Sequence, residues 1–506
     1  MKTFIYPHRQ INGEGEGMEK RKKLILLLLV IFTAAFLIRS INISYENFWI
    51  DEGVTVYSDS AGSVLEVFKN AQANSYLPFY HIMLHQWMAA FGMSEFAARS
   101  LSALIGALSA AALFFMADRL FERKAALIST AIVLVSPFHV SYSQEARSYA
   151  MLFLLSALSF YFFISYLKEP EKKNLALYGI FTLMFLLTHP LAPVMLIAQN
   201  MIFFSYVAAL KAYKRAVQWI IAQSLVGAAA LPFYYFLLPS LNSFSKTSWI
   251  PIPGIKDLVK AFYFFSAGTT KTALSLAAGI ALCAIFAFLL LRLLYNEYCE
   301  YRKSGKIDIN TAVLFGWLIL PMLIFFTASQ VLQPTYVIRY FIYSLAPFIM
   351  LSARSISSMK KPLGTAAILA ITILSVAILS IDFSFRNKED WKSVSEYLDK
   401  NMAEEDLVYV NTPYSIYSLA YYHDKECFAS RDLLGCMESK GIKGVANAGE
   451  IDRDEIRGKS AYLVLFNSKY TDPDGSLLRF FSQGYGLDGK AEPTNIEIYH
   501  FIPASQ

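Results

Sequence analysis

Residues Asn47-Phe48-Trp49-Ile50-Asp51-Glu52-Gly53 place two adjacent carboxylates behind two aromatics, just after the first long apolar run, Leu24 to Ile38. Carboxylates are costly in hydrocarbon, so acids at the edge of a membrane helix are functional candidates. Asp51 is suited to act as a general base on an acceptor hydroxyl, with Phe48 and Trp49 shielding it from water. Glu52 points to another side of a helical turn and serves to cap or orient. Asp51 and Glu52 together are the candidate catalytic pair. The competing reading is that both acids simply solvate a helix end, since membrane interfaces are rich in such residues.

Arginines supply the complementary chemistry. Arg147 sits in the polar corner Ser141-Tyr142-Ser143-Gln144-Glu145-Ala146-Arg147-Ser148-Tyr149, away from the basic clusters that end other apolar runs. Arg339-Tyr340 lies in a later polar segment beside Tyr336 and Tyr343. A guanidinium fork donates two parallel hydrogen bonds and keeps its charge, which suits phosphate. Its competing role is to snorkel toward lipid head groups. Tyr149 and Tyr340 stand next to these arginines, and Glu145, His81 and His189 are candidates for a substrate pocket. His81 and His85 have metal-binding spacing, but residues 82–84 are Ile, Met and Leu, so the HExxH pattern is absent. No metal ligand is assigned, and use of a divalent metal stays open.

The elements that must position these groups are membrane helices. The chain has 506 residues, 56% of them hydrophobic and only 17% charged, against about a quarter charged in a soluble protein. The deficit is concentrated in about eleven apolar runs near the length of a bilayer span, from 24–38 to 364–381. The net charge of +6 does not imply nucleic acid, because the basic residues form short clusters between apolar runs. Those clusters fall on alternate connectors and orient the chain with its N-terminus in the cytoplasm. The Asp51 loop, the Arg147 corner, the His189 turn and the Arg339 segment then share the outer face.

Three regions are expected: a cytoplasmic tail (1–23), a transmembrane region (24–382) and an extracytoplasmic soluble domain (383–506). The first outer loop (44–93) is too long for a simple connector and carries interfacial helices, one starting near Pro78. In the tail, Trp391 to Leu398 has helical spacing, and Asp406 to Val410, Ala461 to Phe466 and Ile496 to Ile502 read as strands. The expected class is therefore an α-helical polytopic membrane protein with a small C-terminal α/β domain. Cys427 and Cys436 both lie in that domain and can pair in an oxidising compartment; sequence does not place them in space.

The order of these segments resembles the GT-C class of polyprenyl-phosphate-sugar glycosyltransferases, and most nearly glycosyltransferase family 39, which includes protein mannosyltransferases and aminoarabinose transferases. The resemblance is carried by Asp51-Glu52, by Leu77-Pro78-Phe79-Tyr80-His81 and Gly92 to Arg99, by Ser136-Pro137-Phe138-His139 with Ser143 to Tyr149, by Arg339-Tyr340, and by Asp390-Trp391-Lys392. It implies a GT-C fold and an inverting transfer with Asp51 as base, the lipid phosphate being held by Arg147, Tyr149, Arg339 and Tyr340. The implied partners are a polyprenyl-phosphate-linked sugar donor, membrane lipids, and a protein, lipid or glycan acceptor on the outer side of the cell membrane. In the aminoarabinose branch an acid in the first loop helps hold a metal; here Asn74 and Ser75 offer none. The alternative class is a transporter or flippase of lipid-linked sugars. Such a protein would show charges at mid-membrane and inverted repeats, and no clear repeat is visible.

Overall fold

The computed structural model describes residues 14–244, 250–332, 334–386 and 388–504. The first thirteen residues of the expected N-terminal tail lie outside the described residues. Helix α1 (Glu14–Ser40) leads into the first loop, which folds as α2 (Ile50–Asp59), α3 (Val64–Ala73) and α4 (Pro78–Phe91). There follow α5 (Glu95–Leu120), α6 (Arg123–Leu134), α7 (Pro137–Ser143), α8 (Tyr149–Lys168), α9 (Lys172–Leu186), α10 (Pro193–Leu210) and α11 (Lys214–Phe244). Next come α12 (Ile255–Ala267), α13 (Ala273–Ser304), α14 (Ile309–Val331), a 3-10 helix (Ile338–Ser344) continuous with α15 (Leu345–Ser357), and α16 (Lys361–Asp382).

Each of the eleven apolar runs is helical. Among the described residues, eight helices are long and apolar enough to cross a membrane, and the bent pair α6 and α7, 59° apart, makes a ninth if counted as one span. The remaining two runs form α9 and α15, of 15 and 13 residues, shorter than the ~20 residues a straight span takes. Helix α12 lies between two of the apolar runs and belongs to neither. The protein is a multi-pass membrane protein.

The local signals explain the first loop. Pro78 opens α4 at its first position, where a missing N–H costs nothing, and Gly92 at φ +87 ends it. Ser94 caps α5 by accepting from the Ala97 amide. Asp51 and Glu52 occupy the first turn of α2, where the helix dipole favours negative charge.

Beyond α16 the chain forms α17 (Trp391–Asn401), α18 (Ser415–His423) and a five-stranded sheet. The strands are β1 (Leu407–Asn411), β2 (Ile442–Gly444), β3 (Ala461–Phe466), β4 (Tyr485–Ala491) and β5 (Ile496–Pro503), in the order β2-β1-β3-β5-β4. β1 runs parallel to β2 and β3, and β5 runs antiparallel to β3 and β4. A disulfide joins Cys427 to Cys436. One apolar cluster runs from the helical bundle through Phe48 into Trp391, Val394 and Leu419. Helix α18 lies so close to α2 that a Cβ on Gly53 would collide with the Ser418 side chain and stand 2.9 Å from its backbone nitrogen. The Tyr422 hydroxyl accepts from the Phe48 amide at 2.9 Å and bonds Glu95 at 2.8 Å, which fixes the entry to α2.

Candidate active site

The start of α2 sets Asp51 between the two arginines. Its Oδ2 is 3.8 Å from Nη2 of Arg147 and 3.8 Å from Nη2 of Arg339. Both separations exceed a direct hydrogen bond, and the Asp51 side chain keeps 28% of its surface open. Arg147 comes from the corner before α8. Its Nη1 donates to Thr55 Oγ1 (2.7 Å), Tyr76 Oη (3.0 Å) and the Asp51 carbonyl (3.3 Å), leaving Nη2 directed at the carboxylate. Arg339 comes from the 3-10 helix and lies 5.6 Å from the rings of both Trp49 and Tyr340. Burial works against both positive charges, but neighbouring tyrosines and Asp51 raise both above the ordinary arginine value.

Glu52 is a different kind of residue from its neighbour. It is fully buried. Its Oε1 accepts from Arg99 Nε and the Ala146 amide, each at 2.8 Å; its Oε2 accepts from Arg99 Nη2 (2.7 Å) and Lys388 Nζ (3.0 Å). Burial alone would raise its pKa, yet Arg99 and Lys388 outweigh it and hold the carboxyl below its usual range. A carboxylate with four acceptor positions filled and no access to the cleft is no proton acceptor for substrate. The catalytic expectation for Glu52 is therefore corrected: it is a positioning residue. Arg99 also donates to the carbonyls of Ile43, Glu46 and Asn47. This one pair ties α2, α5, the strand of chain entering α2, and the residue beside Arg147.

The remaining predicted residues divide into those facing the cleft and those behind it. His81 is buried and donates from Nδ1 to Asp59 at 2.9 Å. Its ring stacks on Tyr76 with centroids 4.7 Å apart and planes 1° apart. Tyr76 in turn bonds Arg147, so His81 supports the cleft wall from behind. His189 is 4.8 Å from the Tyr340 ring, and its Nδ1 accepts from the Leu191 amide. Burial, then the fields of Arg147 and Arg339, push its imidazole down to about 3, so the ring is neutral. Tyr149 begins α8, buried edge-on to Tyr142. Glu145 lies 3.7 Å from Lys388, and burial raises its carboxyl despite that lysine. Asp51, Arg147, Arg339, Tyr340 and His189 thus converge, with Glu145 and His81 on the flanks.

Sequence reasoning missed Tyr76, Thr55, Arg99 and Lys388. Arg99 carried a usable signal, a charge inside an apolar span. Lys388 carried none, because it reads as the start of a soluble tail. Among the described residues no group of three or more His, Cys, Asp or Glu is placed to hold a metal ion. Asp51 is flanked by cations, which repel one, so the residues present do not fit a metal and no step is routed through it.

Comparison with known proteins places the fold. Over 95% of its length the chain superposes on 98% of ArnT from Cupriavidus metallidurans in the apo state (TM-score 0.59, 12% identity). The same enzyme bound to undecaprenyl phosphate matches with TM-score 0.57 and 11% identity, over 93% of this chain and 97% of that one. The fold is GT-C. The GT-C likeness extends to the archaeal oligosaccharyltransferase AglB from Archaeoglobus fulgidus, in complex with an inhibitory peptide and a dolichol-phosphate, over 94% of this chain and 74% of that one (TM-score 0.52, 12% identity). Residues 76–237, about a third of the chain, match the family described as Dolichyl-phosphate-mannose-protein mannosyltransferase. No curated protein sequence matches the chain. The matched segment carries Tyr76, Arg99, Arg147 and His189.

Proposed function

We propose that the chain is an integral-membrane inverting glycosyltransferase that moves a sugar from a polyprenyl-phosphate donor to an acceptor hydroxyl on the outer face of the cell membrane. The N-terminus is cytoplasmic and residues 383–506 form an extracytoplasmic domain over the site, as the basic clusters argue. The observation that carries the reading is the equal 3.8 Å approach of Arg147 and Arg339 to one partly exposed carboxylate. The GT-C fold and the lipid phosphates bound to two of the solved structures support the donor class.

Two guanidiniums against one carboxylate leave a single positive charge, which matches the one negative charge of a sugar phosphodiester. Asp51 takes the proton from the acceptor hydroxyl, whose oxygen attacks the anomeric carbon from the face opposite the phosphate. The bond from that carbon to the phosphate oxygen breaks, and its electron pair leaves with the lipid phosphate. The phosphate then carries a second negative charge, which the fixed guanidiniums stabilise without rearranging. Tyr76 and Thr55 hold Arg147 in place, and Trp49 and Tyr340 flank Arg339. His189, neutral, adds no charge to compete for the phosphate. The acceptor is a protein, a lipid or a glycan.

The test is transfer in liposomes containing the full chain and a polyprenyl-phosphate-linked mannose, with glycan and glycolipid profiles of cells with and without the chain. Asp51→Asn is expected to insert and fold normally while losing transfer by about 10³-fold or more, on the scale of removing a general base together with its charge. Normal turnover by Asp51→Asn removes the assigned base. Movement of the lipid-linked sugar across the bilayer with no glycosidic product would favour a flippase.

A further inference from the structure

Next to the Asp51 cleft, on the far side of Trp49, is a cavity of about 280 Å³. The turn after α1, the end of α16, helix α7, the turn between α12 and α13, and the linker residues Phe383, Phe385, Lys388 and Glu389 enclose it. Its walls hold polar atoms that the protein does not use. Glu389 is 6% exposed, and its Oε2 has no hydrogen-bond partner among the described residues. The same holds for Glu145 Oε2, Asp382 Oδ1 and the indole Nε1 of Trp49. An unmade bond at a buried carboxylate oxygen costs on the order of 1–3 kcal/mol, so several around one cavity mark groups kept for something that enters it.

The cations beside the cavity are already engaged. Lys388 bonds Glu52, and Lys271 donates to the Asp382 and Phe385 carbonyls at 2.9 and 3.0 Å. The free chemistry is therefore three acceptor oxygens, one N–H donor and an indole beside them. We infer that this cavity is a carbohydrate subsite that takes the ring of an uncharged sugar and rejects sugars bearing a carboxylate. Hydroxyl groups donate to Glu389, Glu145 and Asp382 and one accepts from Trp49. A ligand carboxylate would meet carboxylate oxygens that have no hydrogen-bond partner, with every lining cation already engaged among the described residues. The volume corresponds to roughly nine waters at ~30 Å³ each, the room of one sugar ring. This inference rests on the proposed transfer reaction and deepens it. The sugar belongs either to the lipid donor or to a glycan acceptor.

The test uses the purified full chain and three probes: a polyprenyl phosphate, the same lipid phosphate linked to mannose, and the same lipid phosphate linked to glucuronic acid. Free mannobiose serves as an acceptor-side competitor. Wild type is expected to bind the mannose-bearing lipid about tenfold more tightly than the bare phosphate, and the glucuronate-bearing lipid no more tightly than the bare phosphate. Ser141→Phe and Thr269→Trp, which fill the cavity from two sides, and Glu389→Gln, which removes an acceptor, are each expected to erase the preference for mannose while binding the bare lipid phosphate as before. If only mannobiose binding is lost in these variants, the ring is the acceptor's and the subsite stands. If neither mannose-bearing ligand responds to any of the three, or the glucuronate lipid binds as well as the mannose lipid, the inference falls. The transfer reading fails separately, if bare lipid phosphate does not bind or if Arg147→Ala does not weaken it.

Discussion

Arg147→Lys keeps the charge and removes the fork, which makes it a sharp test of how the phosphate is held. In the structure Nη1 is spent on Thr55, Tyr76 and the Asp51 carbonyl, and Nη2 faces the cleft. One ammonium cannot both hold those anchors and meet the phosphate, so the variant loses the preplaced donor. Losses of this kind run to about 2.7–4 kcal/mol, or roughly 10²–10³ in rate. Tyr76→Phe keeps the ring 4.8 Å from the guanidinium and its stack on His81, and deletes only the 3.0 Å hydrogen bond. A hydrogen bond to a charged group is worth about 1.5–3 kcal/mol, so kcat/KM should fall by about 10- to 100-fold. If Tyr76 works through Arg147, the two losses are not additive, and the double variant falls short of their sum by about 1 kcal/mol or more. The assay is single-turnover transfer from a short-chain lipid-phosphate mannose, alongside thermal unfolding of each protein in detergent. Arg147→Lys within twofold of wild type, or strict additivity with Tyr76→Phe, would refute the argument.

Glu52→Gln should lower thermal stability by the equivalent of about 3–5 kcal/mol, because it strands the buried charge of Arg99; unchanged unfolding would show that the pair does not knit the site. Gly53→Ala should weaken the seat of α18 on α2, read as earlier proteolysis of the C-terminal part, since a Cβ meets the Ser418 backbone. His189 is held at about 3, below the ordinary imidazole value of 6.5. The unfolded chain therefore binds one more proton between these values, and stability falls as pH drops from about 6.5 toward 3. His189→Gln should flatten that part of the stability profile, as followed by unfolding from pH 7 to pH 4, and an unchanged slope would refute the assignment. Reduction of the Cys427–Cys436 bond should cost about 2–3 kcal/mol by the loop-entropy account, seen as a lower melting temperature of the full chain in reductant.

Much of the architecture is written locally. Apolar runs marked eleven helical segments and passed over α12, Pro78 marked the start of α4, and the pattern of short apolar runs found β1, β3 and β5. It missed β2, of three residues, and β4, whose mostly exposed residues carry no buried stripe. Asp51, Arg147 and Arg339 were legible because charge at a membrane edge is costly and is kept for a reason.

Sequence by itself determined that the chain enters the bilayer many times and which charged groups stand at its edge, since hydrophobic transfer and charge desolvation act residue by residue. It kept Asp51 and Glu52 together as a candidate pair, with only a helical-turn argument to set them apart. Their types and neighbourhood are the same, and what distinguishes them is the company each keeps. One turns toward Arg99, from the next long helix, and Lys388, from a linker 336 residues further on. The other turns into the gap between two arginines. Only the packed chain decides that, because electrostatic roles depend on distances across the fold rather than on order along it.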